Sequence, residues 1–411
     1  MEGNKRIKQM HLPLLETNGS TMNEDSDRSI NILPDECLIL ICSHLSSIDR
    51  LNMEKVCQSW KASVSPLIWN NITKFDARGY QQLTVERLIT RCGRFLKDLI
   101  LDSSCDYSIF PIVGEHCINL VNFDFGLRPN FEEMYFRNSF NNMKKLKSIK
   151  IWADDSNSID NLAHIFHSIH NDIEEISFFT PLKYVKPMSK RWPNVFEKFT
   201  TLRKILMFHC ELNDEIIDMI NKKKTTLTEL TLIYSCFWSS IQLDLPNLES
   251  LCLRHCPVVI ENCLINGVPN NFKQLSIVNL GLSVSNDMIS QETVSRIGKQ
   301  NLKKLRLDNT SFCFGKLTKN LFNLKFLDCA RCVAVTDSNI ITVLKNCKNI
   351  QFLYLVGTSI TVNTLCFAVD VVNQRERGPP LIISVNRNVY DDFFKKDGVI
   401  IPHLLAIKKV V

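Results

Sequence analysis

Two hydrophobic periods divide this chain. Over residues 33–69 the apolar positions follow helical spacing: Leu38, Ile41 and Leu45 share one face, and Val56, Trp60 and Val64 stand at i, i+4 and i+8. From residue 96 onward the rule changes, and an apolar residue is followed by others at +3 and +5. The triplets are Leu96/Leu99/Leu101, Leu120/Phe123/Phe125, Leu146/Ile149/Ile151, Ile173/Ile176/Phe178, Leu202/Ile205/Met207 and Leu227/Leu230/Leu232. Leu248/Leu251/Leu253, Phe272/Leu275/Ile277, Leu302/Leu305/Leu307, Leu324/Leu327/Cys329 and Ile350/Leu353/Leu355 complete eleven copies. Their mean interval is about 25 residues, inside the range of leucine-rich repeats.

The last two members of each triplet are two apart, so both project to one side of a short strand. Stacked copies make a parallel sheet with a continuous apolar column inside. One such residue, fully buried, is worth roughly 1.5–3 kcal/mol, so a single repeat cannot offset its own ordering whereas a stack can. Helical returns are expected at Leu83–Cys92, Ile159–His170, Asp214–Lys222 and Asp337–Cys347. The long fourth interval carries a basic and aromatic loop at residues 181–193. Past residue 370 the pattern fades. Leu381–Val385 reads as a last strand within a terminal cap, which solenoids need to cover their exposed edge.

In the opening stretch the sequence predicts a first helix from Pro34 to about Leu45, with Asp35 and Glu36 complementing its dipole. Ser46-Ser47 breaks it and offers an N-cap for a second helix. So short a unit buries little surface by itself. Its leftover apolar residues point to a docking role. The expected organisation is therefore a disordered polar tail (1–29), a helical module (30–75), a repeat solenoid (76–370) and a C-terminal cap and tail (371–411).

Composition excludes more than it assigns. Hydrophobic residues are 45% and charged residues 22%, an ordinary globular balance. The net charge of +6 over 411 residues is well short of a nucleic-acid footprint. No signal-peptide h-region is visible in residues 1–29. The uncharged stretch Asn349–Val369 is interrupted by polar residues and carries a repeat, so a buried segment is expected there rather than a membrane span. Sixteen cysteines without a secretory signal read as free thiols in the cytoplasm or nucleus.

The opening stretch resembles an F-box. The residues that carry the match are Leu33-Pro34, Glu36, Leu38, Ile41, Leu45, Asp49, Leu51, Val56-Cys57, Trp60 and Leu67/Trp69. The repeats resemble the cysteine-containing type of leucine-rich repeat. A Cys stands three residues after the last strand position at 210, 256 and 332, and shortly before a strand at 117 and 347. The resemblance implies an α/β fold: a small all-α F-box module followed by a horseshoe with its parallel sheet on the concave face. It also implies a substrate receptor of an SCF-type ubiquitin ligase. The F-box would bind a Skp-type adaptor, through it a cullin scaffold, and the repeats would hold a substrate protein. Leu33, Pro34, Leu38, Ile41, Leu45, Leu51, Val56, Cys57, Trp60 and Trp69 are the adaptor-side candidates, and sequence does not separate surface from core among them.

The residue after each triplet points to the concave face by strand alternation. In five consecutive repeats it is Trp152, Phe179, Phe208, Ile233 and Arg254, an apolar run ending in Arg that marks a candidate substrate surface. Other features carry bland readings. Cys329-Ala330-Arg331-Cys332 falls on repeat positions and reads as structural, and His164, His167 and His170 as an ordinary helix face without a metal. Lys222–Lys224 reads as a solvated helix end. No Walker-A, H-E-x-x-H or G-x-S-x-G motif is present, so no enzyme, cofactor or metal is expected. Two further readings stand behind the receptor: a repeat scaffold that binds proteins without ubiquitin transfer, and a sensor with a small-ligand pocket on the concave face.

Overall fold

The computed structural model describes residues 33–56, 65–129, 131–154, 162–180, 191–237, 243–256, 273–278, 295, 301–310, 314–317, 321–375, 378–396, 398 and 400–410. The expected disordered tail and most of the 181–193 loop lie outside these residues. Two compact units divide the chain, Met1–Ile68 and Trp69–Val411.

The first unit holds α1 (Asp35–Ser43), α2 (Ser47–Val56) and α3 (Ser65–Ile68). Pro34 is the N-cap of α1 rather than its first residue, and its carbonyl accepts from the amides of Cys37 at 3.0 Å and Leu38 at 3.2 Å. Ser46 caps α2 as its sequence position predicts. The Ser46 hydroxyl accepts from the Asp49 amide at 3.2 Å and donates to the Asp49 carboxylate at 2.6 Å. Leu38, Cys42, Leu51, Met53 and Ile68 are buried. Arg50 is buried with them and donates to the carbonyls of Ser43, Leu45 and Ile68. The carbonyls that end α1 and α3 have no partner within their own helices, so a buried guanidinium ties both ends together.

Among the described residues, the second unit is built on one fourteen-stranded parallel sheet in sequential order. Its strands are β1 (Lys74–Asp76), β2 (Asp98–Leu101), β3 (Asn122–Leu127), β4 (Ser148–Ala153), β5 (Glu175–Phe179) and β6 (Lys204–Phe208). A side pair, β7 (Glu211–Leu212) and β9 (Cys236–Phe237), brackets β8 (Glu229–Ile233) in sequence. The sheet continues through β10 (Ser250–Arg254), β11 (Gln274–Val278), β12 (Lys304–Asp308), β13 (Phe326–Asp328), β14 (Phe352–Tyr354), β15 (Leu381–Asn386) and β16 (Leu405–Val410).

Register follows the triplets. Phe75, Leu99, Phe123, Ile149, Ile176, Ile205, Leu230, Leu251, Leu275, Leu305, Leu327, Leu353, Ile383 and Ile407 pair in one column. A second column runs from Leu101 through Phe125, Ile151, Phe178 and Met207 to Leu307. The sheet begins one strand before the first triplet and runs two strands past residue 370.

Where the triplets carry Phe, the core is aromatic. Phe110 meets Phe136 at 4.0 Å and Phe125 edge-on at 5.3 Å, and Phe178 meets Trp192 edge-on at 4.8 Å. Trp192, at the end of the basic and aromatic loop, is thus wholly buried. Returning helices include α4 (Gln82–Cys92), α5 (Ile109–His116), α6 (Trp192–Lys198), α7 (Asp214–Lys222), α8 (Asp337–Asn346), α9 (Val362–Asn373) and α10 (Arg387–Phe394). Between residues 162 and 170 the return is only partly α-helical, closing in a 3-10 turn at Phe166–Ser168.

Three polar devices tie neighbouring repeats. Lys223 is not the solvated residue its run of lysines predicts. It is buried, and its ammonium donates to the carbonyls of Glu197 at 3.1 Å and Phe199 at 3.0 Å, at the C-terminus of α6. Burial holds its pKa below the ordinary lysine value. Asp337, at the start of α8, accepts from the Thr361 amide at 2.8 Å and from the hydroxyls of Thr361 at 2.6 Å and Thr364 at 2.5 Å. Cys256 and Cys332 donate from buried thiols to the carbonyls of Leu232 and Leu307 in the preceding repeats.

A column of left-handed residues follows the strands. His209, Tyr234, His255, Asn309 and Arg331 have φ of 60°, 51°, 50°, 53° and 58°, and Gly357 has 75°. The amides of His209, Tyr234, Asn309 and Arg331 each donate at 2.7 Å to a carbonyl of the next repeat. These bonds hold side chains in a conformation that glycine adopts freely.

Candidate functional site

The helical module sorts the adaptor-side candidates. Leu38 and Leu51 are core, and Leu45 is half-buried. Leu33, Pro34 and Ile41 are exposed. Trp69 is buried in the second unit. Val56 ends α2, while Cys57 and Trp60 lie outside the described residues. Sequence reading missed Leu40, which is 63% exposed, and Ile48, exposed as well; Leu67, which helps carry the F-box match, is also exposed. Leu40 sits between buried Leu38 and Cys42, so a two-residue offset in the helical pattern was the available signal.

The second surface is the sheet face opposite the core columns. Strand alternation places Trp152, Phe179, Phe208, Ile233 and Arg254 in one register row there. Trp152 is 48% exposed and the next three are half-buried. Trp152 and Phe179 stack at 3.8 Å with their planes 8° apart, and Phe179 and Phe208 follow at 6.1 Å. The run then leaves the predicted row. Phe208 meets Tyr234 edge-on at 5.6 Å, and Tyr234 stacks on His255 at 4.2 Å. Tyr234 and His255 occupy the left-handed column, whose backbone turn carries them beside the row, and strand alternation alone does not reveal this.

Charge differs along this face. Over β1–β5 a cleft of about 630 Å³ is lined by Lys74, Asp76, Asp98, Asp124, Lys150 and Glu175, among others. The Trp152 indole donates to Asp124 at 2.5 Å, yet burial dominates and raises the Asp124 pKa. Lys204 spans Glu175 at 2.9 Å and Glu229 at 3.4 Å. Over β10–β13 basic residues prevail. Arg331 donates to buried Asp308 at 3.0 and 2.7 Å, and Arg306 lies 2.9 Å from buried Asp328.

Cys329 and Cys332 are both buried, and burial raises both thiol pKa values, which disfavours the reactive thiolate. Among the described residues no group of His, Cys, Asp and Glu is arranged to hold a metal ion. His170 accepts from the Asp172 amide at 3.1 Å, and the His167 side chain lies outside the description. Among the described residues no helix is long and apolar enough to cross a membrane; Asn349–Val369 contributes β14 and most of α9 instead.

The F-box-like family model matches residues 30–74. No curated protein matches the chain significantly. Among solved structures, a chain of the Rad7 and Elc1 complex in yeast aligns with TM-score 0.40 and 14% identity, covering 91% of this chain and 92% of that one. The Toll–Spatzle complex of Drosophila aligns with TM-score 0.35 and 16% identity over 79% of this chain and 38% of that one. The LRIM1/APL1C complex aligns with TM-score 0.37 and 12% identity over 78% and 62%. These likenesses are loose; the register-locked columns of the sheet carry the fold assignment. The chain carries an F-box-like module followed in sequence by a leucine-rich-repeat solenoid.

Proposed function

We propose that this chain is the non-catalytic substrate receptor of an SCF-type ubiquitin ligase. Its F-box-like module docks a Skp-type adaptor that links to a cullin, and the open face of its sheet holds the substrate protein. The observation that carries the reading is the set of exposed apolar residues, Leu33, Leu40, Ile41, Ile48 and Leu67, in the segment that matches the F-box-like family. Five large apolar side chains exposed on so short a helical unit mark a surface for a partner to cover.

Co-purification with a Skp-type adaptor tests the reading. Leu40→Asp with Ile41→Asp is expected to abolish capture, since each buried interface anchor is worth ~2 kcal/mol or more. The double variant is expected to keep the helical content of the wild type. Failure of the wild-type chain to hold the adaptor refutes the proposal. An adaptor complex that never recruits cullin turns the reading into a protein-binding scaffold without ubiquitin transfer. On the substrate side, Trp152→Ala with Phe208→Ala is expected to lose substrate capture while adaptor binding persists. Unchanged capture by the folded double variant removes the face from the proposal.

A further inference from the structure

Among the described residues, the basic end of the open face holds a half-buried arginine, Arg254, without an ion pair. Arg306 lies against Asp328 and Arg331 is bidentate on Asp308, so those two arginines are balanced. Arg254 shares its register row with Asp308 two strands away, across β11; among the described residues it makes no ion pair, and its Nε is buried without a hydrogen-bond partner. On β11 the Ser276 hydroxyl is likewise buried and unpartnered. Asp308, the acid in that row, is already held by Arg331, and Glu229, in the row of Ser250, is engaged by Lys204 at 3.4 Å. A guanidinium keeps its proton, and a half-buried cation without a partner is costly. His255 beside it has its pKa lowered, by burial first and then by Arg254, with Asp308 opposing and Arg331 adding to the lowering.

The aromatic run leads directly to this charge. Trp152 and Arg254 share a register row four strand steps apart, about 19 Å at the usual strand spacing. An extended segment covers that distance with about six residues.

We propose that Arg254 receives an aspartate or glutamate carboxylate of the captured protein, lying about six residues from an aromatic or aliphatic residue seated on Trp152 and Phe179. This rests on the open face being the capture surface and adds the chemistry of what it captures. A single half-buried guanidinium matches the one charge of a carboxylate better than a phosphoryl group, which carries close to two negative charges.

The test is a phage-displayed library of random dodecapeptides panned against the full chain. Selected peptides are labelled with fluorescein and titrated by fluorescence polarisation. They are expected to converge on an acidic residue at fixed spacing from an aromatic or aliphatic one. Changing that acid to its amide is expected to weaken binding to the wild type about tenfold, the scale of a charge-assisted hydrogen bond, and to leave binding to Arg254→Gln unchanged. Thermal melts of Arg254→Gln must match the wild type, and Arg254→Lys, expected to retain preference for the acidic peptide, serves if the glutamine variant melts early. Peptides that depend on Trp152 but carry no acidic position overturn the proposal while leaving the capture face intact. Equal loss on wild type and Arg254→Gln overturns it too, as does about tenfold tighter binding when phosphoserine replaces the acid. If nothing is enriched, or Trp152→Ala binds every selected peptide as well as the wild type, the capture face itself fails and the proposal with it.

Discussion

Lys223 offers a sharp test of how the repeats are joined. Its ammonium reaches the carbonyls of Glu197 and Phe199 at 3.1 and 3.0 Å, where α6 ends without partners of its own. Lys223→Met keeps most of the apolar stem and removes only the donor. Two carbonyls then lose a charged donor, and α6 loses a cation at the negative end of its dipole. Hydrogen bonds to charged groups contribute ~1.5–3 kcal/mol each and the dipole another ~0.3–1 kcal/mol. Burial has already weakened the charged form, as the lowered pKa shows, so the net loss is expected somewhat below the summed range of about 3–7 kcal/mol, at about 2–3 kcal/mol. The neighbouring Lys224 pairs with Asp244 at 3.2 Å with both side chains more than half exposed, so Lys224→Met is expected to change stability by less than ~0.5 kcal/mol. Urea unfolding of the full chain followed by tryptophan fluorescence suits the question, since buried Trp192 opens α6 itself. Equal midpoints for Lys223→Met and the wild type, or equal losses at both lysines, would refute the bridging role.

Other residues carry independent expectations. Burial alone would raise the Asp337 pKa, but hydrogen bonds from Thr361 and Thr364 outweigh it and the pKa is lowered. The unfolded chain therefore binds this proton more readily. The stabilisation is present above about pH 3.9, the unfolded carboxylate value, and is lost as pH falls through the lower folded value. Acid melts should show that loss in the wild type and not in Asp337→Asn. Gly357→Ala should cost about 1–2 kcal/mol in urea unfolding, because its φ of 75° strains an L residue and an added Cβ would lie 3.1 Å from Arg331 Cα. Arg50→Met leaves carbonyls of Ser43, Leu45 and Ile68 without their donor, and adaptor capture should fall with the helical module, by about 3 kcal/mol of module stability. Limited proteolysis should then cut within residues 33–68 while leaving the repeats intact.

Much of this architecture is legible in the order of residues alone. Strand alternation has a period of two and the repeat a period near 25 residues, so eleven triplets locate strands, core columns and the outward row containing Trp152, Phe179 and Phe208. Helix caps are local as well, and Ser46 caps α2 from its sequence position. What the fold alone decided depends on partners far along the chain. Lys223 is a buried bridge because the end of α6, some 25 residues earlier, stacks beside it. Tyr234 and His255 join the aromatic run because a left-handed turn after each strand carries them there. Leu38 and Ile41 look alike in a helical pattern, yet one is buried and the other exposed, because only packing between helices fixes which arc of α1 meets the core. Local periodicity dictates which backbone forms; the burial, pairing and charge of each side chain follow from the neighbours that tertiary packing supplies.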